Sequence, residues 1–206
     1  MRAHMRIRNL VTVVILAVAT GAAAQTQTPQ QLFESGQHDQ ALQQIAAHRE
    51  GGADGPAEAY LEGLVFLKLE QPDGARQAFA RLAVSGEPGW ALVGESATAL
   101  LDDGKGAARD AANRAVEAAP KLFQAHYQAG VAASQFQDWA ACAESFRRAA
   151  ELNPSFAYAH YFAGLSFSRV GRADRTSEHF ERFLRLAPRA PERAAVETLM
   201  RTLRGR

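Results

Sequence analysis

Sulfur is scarce in this chain: one cysteine, Cys142, and three methionines in 206 residues. A lone cysteine excludes an internal disulfide framework and a thiolate zinc cage, since both need several sulfurs. Aromatic residues are few at 8%, although 47% of the chain is hydrophobic. Alanine makes up the difference, and an alanine-rich, glycine-interrupted chain favours closely packed helices over a thick β core. Charge of one sign is lacking as well: the net value is +1 at pH 7. That near-balance argues against a nucleic-acid partner, which requires a strong basic footprint. Catalytic signatures are also absent. There is no G-x-S-x-G, no H-E-x-x-H and no glycine-rich phosphate loop; Asp102-Asp103-Gly104-Lys105-Gly106 reads as a turn between helices. The expectation is a non-enzyme with no catalytic residues, cofactor or metal.

The amino terminus carries an address. Arg2, Arg6 and Arg8 precede an apolar run from Leu10 to Ala19, which Thr20-Gly21 and the small tripeptide Ala22-Ala23-Ala24 follow. A basic start, a short apolar stretch and an A-x-A end are the three parts of a secretory signal peptide. The run is short of the ~20 apolar residues that a membrane span needs. Residues 1–24 are therefore expected to be removed after Ala24, leaving an exported, periplasmic or secreted protein with no stable membrane span; an uncleaved anchor is the less favoured alternative. Without the leader's arginines the chain has 20 basic and 22 acidic residues. Their distribution is uneven: residues 25–120 hold 7 basic and 14 acidic groups, and residues 121–206 hold 13 and 8. A dipolar chain of this kind can steer a charged partner or associate head to tail with itself as a homo-oligomer.

An internal repeat organises the rest. Pro120, Pro154 and Pro188 are spaced 34 residues apart. The same interval separates Gly130 from Gly164, Phe146 from Phe180, His126 from His160 and Tyr127 from Tyr161. One copy reads His126-x-x-Ala129-Gly130-x-x-Ala133, then Cys142-x-x-x-Phe146, Ala149 and Pro154; the next reads His160-x-x-Ala163-Gly164-x-x-Phe167, then Thr176-x-x-x-Phe180, Phe183 and Pro188. A degenerate copy in register has Ser96, Ala99, Ala108-x-x-x-Ala112, Ala115 and Pro120, and an earlier one has Gly63, Phe66 and Ala75-x-x-x-Phe79 with its proline at Pro88. This pattern resembles the tetratricopeptide repeat, a helix–turn–helix unit of 34 residues. Histidines stand at 126 and 160 where the family has an early tryptophan, and Phe183 replaces its later small residue.

The resemblance implies an all-α fold, a superhelical solenoid of stacked helix–turn–helix hairpins. A partial first repeat is expected over 32–50 and full repeats over about 56–88, 89–122, 123–156 and 157–190, with a linker over 25–31. Stacking follows from burial, because one hairpin cannot cover its own apolar stripe. Gly130 and Gly164 allow close helix approach, and Phe146 and Phe180 are expected to fill the space between neighbouring hairpins. The run Glu50-Gly51-Gly52-Ala53-Asp54-Gly55-Pro56 is the weakest joint. From 191 to 206, Ala195, Val196, Leu199, Met200 and Leu203 recur at helical spacing between Arg193, Glu197 and Arg201, as an amphipathic capping helix requires.

The family's groove-facing positions fall on Tyr60, Leu64 and Lys68; Trp90, Val93 and Ala97; Gln124, Tyr127, Val131 and Gln135; and Tyr158, Tyr161, Leu165 and Arg169. An aromatic groove flanked by Gln and Arg suits an extended or helical peptide. If the rings only line a groove, Tyr127→Ala with Tyr161→Ala should leave folding intact. Relatives that clamp a partner's C-terminal carboxylate use Lys and Asn on this face, whereas the corresponding places here are Tyr127 with Val131 and Tyr161 with Leu165. Arg147, Arg148, Arg182 and Arg185 fall on second helices, the outward side. Cys142 reads as a core residue and His126 and His160 as packed histidines rather than ligands. The resemblance thus implies an interaction scaffold or adaptor for a protein or peptide of the cell envelope. The alternative is a structural subunit that docks by its solenoid edges or self-associates.

Overall fold

The computed structural model describes residues 27–204, so the leader expected over 1–24 lies outside the described residues. Within them the chain is all-helical, with no strand: α1 (Pro29–Glu34), α2 (His38–Glu50), α3 (Pro56–Lys68), α4 (Pro72–Ala83), α5 (Pro88–Leu101), α6 (Lys105–Ala118), α7 (Phe123–Ser134), α8 (Trp139–Leu152), α9 (Ala157–Arg169), α10 (Ala173–Leu186) and α11 (Arg193–Arg204). Prolines open α1, α3, α4 and α5 at the first helical turn, where the missing N–H has no intrahelical acceptor in any case. Asp138 caps α8 by accepting a hydrogen bond from Ala141 N at 3.1 Å. The polar stretch expected as a linker over 25–31 becomes helix from Pro29, because Thr28 and Gln31 form a reciprocal capping box.

Helices pair antiparallel as α1–α2, α3–α4, α5–α6, α7–α8 and α9–α10, and each pair stacks on the next. The turn inside every pair contains one left-handed residue: Gly36 (φ 77°), Glu70 (57°), Asp103 (57°), Gln137 (55°) and Gly171 (75°). These five positions recur every 33 or 34 residues, so the turn geometry repeats even where glycine does not. A non-glycine residue there costs roughly 1–2 kcal/mol, which the packed hairpin over-determines. Contact is thinner at α2–α3 than between successive helices from α3 to α10, at the joint formed by residues 51–55. At the other end α11 buries Val196 and Met200 against Phe180, Phe183 and Ala190 and leaves Leu199 exposed, which closes the last hairpin.

The repeated glycines and phenylalanines meet inside one hairpin. A Cβ on Gly130 would stand 2.8 Å from the Phe146 ring, and one on Gly164 would stand 2.6 Å from the Phe180 ring; Gly63 faces Phe79 in the same way. Each ring thus occupies the volume of the absent side chain of its own pair. Phe146 then reaches the neighbouring hairpin, stacking on Phe162 at 5.3 Å. The expectation that these rings serve chiefly between hairpins is corrected accordingly.

Candidate functional site

The first helices of the pairs, α1, α3, α5, α7 and α9, turn their apolar faces inward, and the superhelix winds tightly enough for the first to meet the fifth. Phe33 of α1 lies 5.0 Å from the Tyr158 ring of α9. The Glu34 carboxylate accepts a hydrogen bond from Ala157 N at the start of α9 (2.7 Å), and Gln30 Nε2 donates to the Ser155 carbonyl at 3.1 Å. On the same inner face Lys68 of α3 pairs with Glu192 beyond α10 at 2.7 Å, and Tyr158 O–H donates to the same carboxylate. Burial pushes the Glu34 carboxyl up to about 7 against the lowering effect of its hydrogen bonds from Ala157 and Gln30. Burial would raise Glu192 too, yet the hydrogen bonds from Lys68, its own backbone amide and Tyr158, together with the Lys68 charge, hold it below the usual carboxylate range. The Tyr127 and Tyr158 phenols are raised, first by burial and then by the Glu192 charge.

A second link crosses the interior. Tyr60 O–H donates to Gln128 Oε1 (3.0 Å), Gln128 Nε2 donates to Ser96 Oγ (3.2 Å), and Ser96 O–H donates to the Ala108 carbonyl (2.7 Å). This buried relay joins α3, α7, α5 and α6. A buried polar chain of this sort stabilises only when its donors are satisfied, and all three donors here are.

The groove expected from the sequence is therefore largely self-filled. Tyr60, Trp90, Tyr127 and Tyr158 are 2%, 6%, 4% and 1% exposed, so they are core. Tyr60 meets Tyr127 edge-on at 6.5 Å, and Tyr127 meets Phe146 at 5.3 Å. Removing Tyr127 would empty volume in the centre of the molecule, which overturns the expectation that the Tyr127→Ala, Tyr161→Ala variant folds normally. Open space persists beside α1 in cavities that include expected groove residues. One, of about 330 Å³, is lined by Phe33, Leu64, Leu67, Ala97, Leu100, Leu101, Val131, Tyr127, Tyr158 and Phe162, with Lys68 and Gln128 as its polar members. A second, of about 390 Å³, is lined by Thr28, Pro29 and Gln30 with Tyr60, Leu61, Leu64, Phe123, Gln124 and Phe156.

Of the fourteen groove positions expected, Leu64, Lys68, Ala97, Tyr127, Val131 and Tyr158 line the first cavity, and Tyr60, Leu64 and Gln124 the second. The other six line neither, and Val93 among them is fully buried in the core. Trp90 is buried beside Tyr60, Tyr161 packs on Phe183 at 5.1 Å, and Leu165 packs with the cluster of Phe180, Phe183 and Val196. Arg169 lies over the Trp139 ring at 5.5 Å, and Gln135 is exposed at the end of α7. Leu67, Leu100, Leu101, Phe162 and Phe33 were not singled out from sequence. A signal for two of these leucines was present: positions 67, 101, 135 and 169 share one register, and the first two are leucine where the last two are Gln and Arg.

Other polar groups are engaged elsewhere. His126 Nε2 faces the Pro120 carbonyl at 3.0 Å, whereas His160 Nδ1 faces His179 Nδ1 at 3.2 Å, so equivalent histidines do not pair with each other. Burial holds both His160 and His179 below the ordinary imidazole value, with His179 at about 4; the neighbouring His160 adds to its depression. The Cys142 thiol is buried and pushed up to about 11 by that burial, which leaves it unreactive near neutral pH. Arg147 pairs with Glu144 and Glu151, and Arg148 pairs with Glu151, on the outward face of α8. Among the described residues no helix is long and apolar enough to cross a membrane.

No protein-family model and no curated protein matches the chain. Solved structures do. TTC0263, a thermophilic TPR protein of Thermus thermophilus, superposes with a TM-score of 0.59 at 17% identity, over 85% of this chain and 94% of that one. The first TPR of Spaghetti (RPAP3), bound to the HSP90 peptide SRMEEVD, superposes with a TM-score of 0.50 at 17% identity, over 57% of this chain and 94% of that one. The fold is a tetratricopeptide-type solenoid capped by a carboxy-terminal helix.

Proposed function

We propose that this protein is a non-enzymatic interaction scaffold of the cell envelope, exported by the leader at residues 1–24, which takes a peptide segment of a partner protein on its inner face. One observation carries the reading. The solenoid axis contains an open apolar cavity of about 330 Å³ with two rim leucines, Leu67 and Leu100, that do not belong to the packed core cluster. Apolar side chains of a partner segment gain about 25 cal/mol per Å² on entering such a space, and Lys68 and Gln128 fix polarity at its wall. The RPAP3 structure, a fold neighbour, holds its peptide on a scaffold of the same kind.

The test is site-specific photo-crosslinking in envelope extract from position 67, with a control probe at Val84, which is 83% exposed. The reading expects one polypeptide cross-linked through a defined segment from position 67, absent from position 84, and lost when Leu100→Glu is added to the protein carrying the probe at 67. Capture from position 84 alone, or capture indifferent to that glutamate, would instead favour docking by the solenoid edges. The charge difference between residues 25–120 and 121–206 would then be the feature to follow, and capture should weaken with salt.

A further inference from the structure

The helix that closes the inner face is half the length of its counterparts. α1 has 6 residues, whereas α3, α5, α7 and α9 have 12 to 14. Under two turns is too short for a helix to hold by its own cooperativity, so its docking depends on side chains alone. Those side chains are Leu32 and Phe33, both buried, Glu34, whose carboxylate accepts from Ala157 N, and Gln30, which donates to the Ser155 carbonyl. The segment leaves for α2 through Gly36, whose left-handed φ of 77° provides the bend.

α1 also underfills its seat. Its Phe33 end borders the cavity of about 330 Å³, and its Thr28–Gln30 end borders the cavity of about 390 Å³. In the second cavity Gln124 is only 5% exposed, and its Oε1 has no hydrogen-bond partner. A buried acceptor without a donor is destabilising unless something supplies one. A helix placed on α9 as α1 is, but begun one or two turns earlier, would run into that cavity and meet Gln124. From these observations we infer that α1 is a resident stand-in for a partner's amphipathic helix: a segment of three or more turns, with an apolar residue, an aromatic residue and a carboxylate in succession near its end, which displaces α1 from α9. The inference rests on the scaffold reading above and specifies the partner that the inner face accepts.

The probe is a fluorescent 14-residue peptide with an Ala/Lys helical body ending in Leu-Phe-Glu, titrated against the full chain. Its control ends in Leu-Ala-Lys. Leu32→Ala with Phe33→Ala in the full chain loosens α1, and this variant should bind the probe at least ten-fold more tightly than the unaltered protein. The control peptide should bind at least ten-fold more weakly than the probe. Equal binding of the probe by the folded variant and the unaltered protein overturns the inference, as does equal binding of probe and control. Should the variant fail to fold, amide exchange on the unaltered protein decides: saturating probe must speed exchange at residues 30–34 and slow it at 157–160, and no change at either overturns the displacement. A dimer of the unaltered chain that the probe dissolves would make a second copy the occupant and overturn the assignment to a partner. If cross-linking from position 67 succeeds but the probe does not compete, this inference falls and the scaffold reading stands; if the probe binds and cross-linking fails, the helix seat is real but the scaffold reading falls, and the assignment of the seat to a partner falls with it.

Discussion

The hairpins α9–α10 and α5–α6 share one backbone plan and are held together by different chemistry. In α9–α10 a glycine, Gly164, receives a phenylalanine, Phe180, whose ring is fully buried. In α5–α6 the equivalent positions are Ser96 and Ala112, and no ring is present between them. Alanines 108, 111, 112 and 115, all fully buried, bring the helices together instead, and the Ser96 hydroxyl donates across to Ala108. The first hairpin is specified by shape and the second by a small-residue interface with a polar relay. The 34-residue plan therefore fixes where two helices cross, and leaves open which interaction fills the crossing.

The sharpest break of the comparison is Phe180→Ala, which should cost about 3–5 kcal/mol by leaving an unfilled volume over Gly164. The shift is read from the denaturation midpoint. Gly164→Ala comes next at about 1–3 kcal/mol, because the new methyl overlaps the ring at 2.6 Å. Adding Phe180→Leu should recover part of that loss, and a purely additive double variant would mean that the two positions are not coupled. In the alanine hairpin, Ser96→Ala removes no packing volume of consequence but orphans the buried Gln128 Nε2 and takes away the bond that ties α5 to the Ala108 carbonyl of α6. Its expected cost is about 1–3 kcal/mol, and Tyr60→Phe, which deprives only Gln128 Oε1, should cost less.

The two ends of the solenoid should differ in the sign of their pH dependence. Glu34 titrates near 4.5 unfolded and about 7 folded, so its share of stability is complete below 4.5 and is lost as pH rises through 7. The groups that bear on it are Gln30 on its own helix, the Ala157 amide of α9, and the Tyr127 and Tyr158 phenols. Glu34→Gln, whose amide oxygen still accepts from Ala157, should abolish that alkaline loss. His179 is depressed from 6.5 to about 4, so its contribution is present above 6.5 and is lost as pH falls toward 4. His179→Gln should flatten the acid limb, and denaturation midpoints taken from mildly acidic to mildly alkaline buffer resolve the two. The smallest effect belongs to the outward face: Arg147→Ala breaks exposed pairs to Glu144 and Glu151 and should shift stability by well under ~1 kcal/mol. A larger loss there would show that the convex surface shares in holding the hairpins together.

Much of this architecture was legible before any coordinate. Residues of several types at one interval identify the hairpin unit, because helix crossings demand small and large residues at fixed offsets. The inner face was legible only in outline. Tyr60, Tyr127 and Tyr158 border the inner cavities, but repeat spacing carries no information on how tightly a solenoid winds. Nor could it indicate that Leu100 and Phe162 would edge the open cavity while Trp90 and Tyr161 packed elsewhere. Glu34 and Ala157 are 123 residues apart, and nothing in either repeat announces their hydrogen bond.

The sequence by itself determined the period, the all-helical hairpins and the apolar stripe of the capping helix, since all three follow from contacts between residues within one or two repeats. Only the tertiary structure decided the closure of the superhelix: α1 on α9, Lys68 on Glu192 and Tyr60 through Gln128 to Ser96. Those contacts depend on the sum of small rotations between successive pairs. Small rotations at successive joints accumulate across the hairpins into an open groove or a closed one.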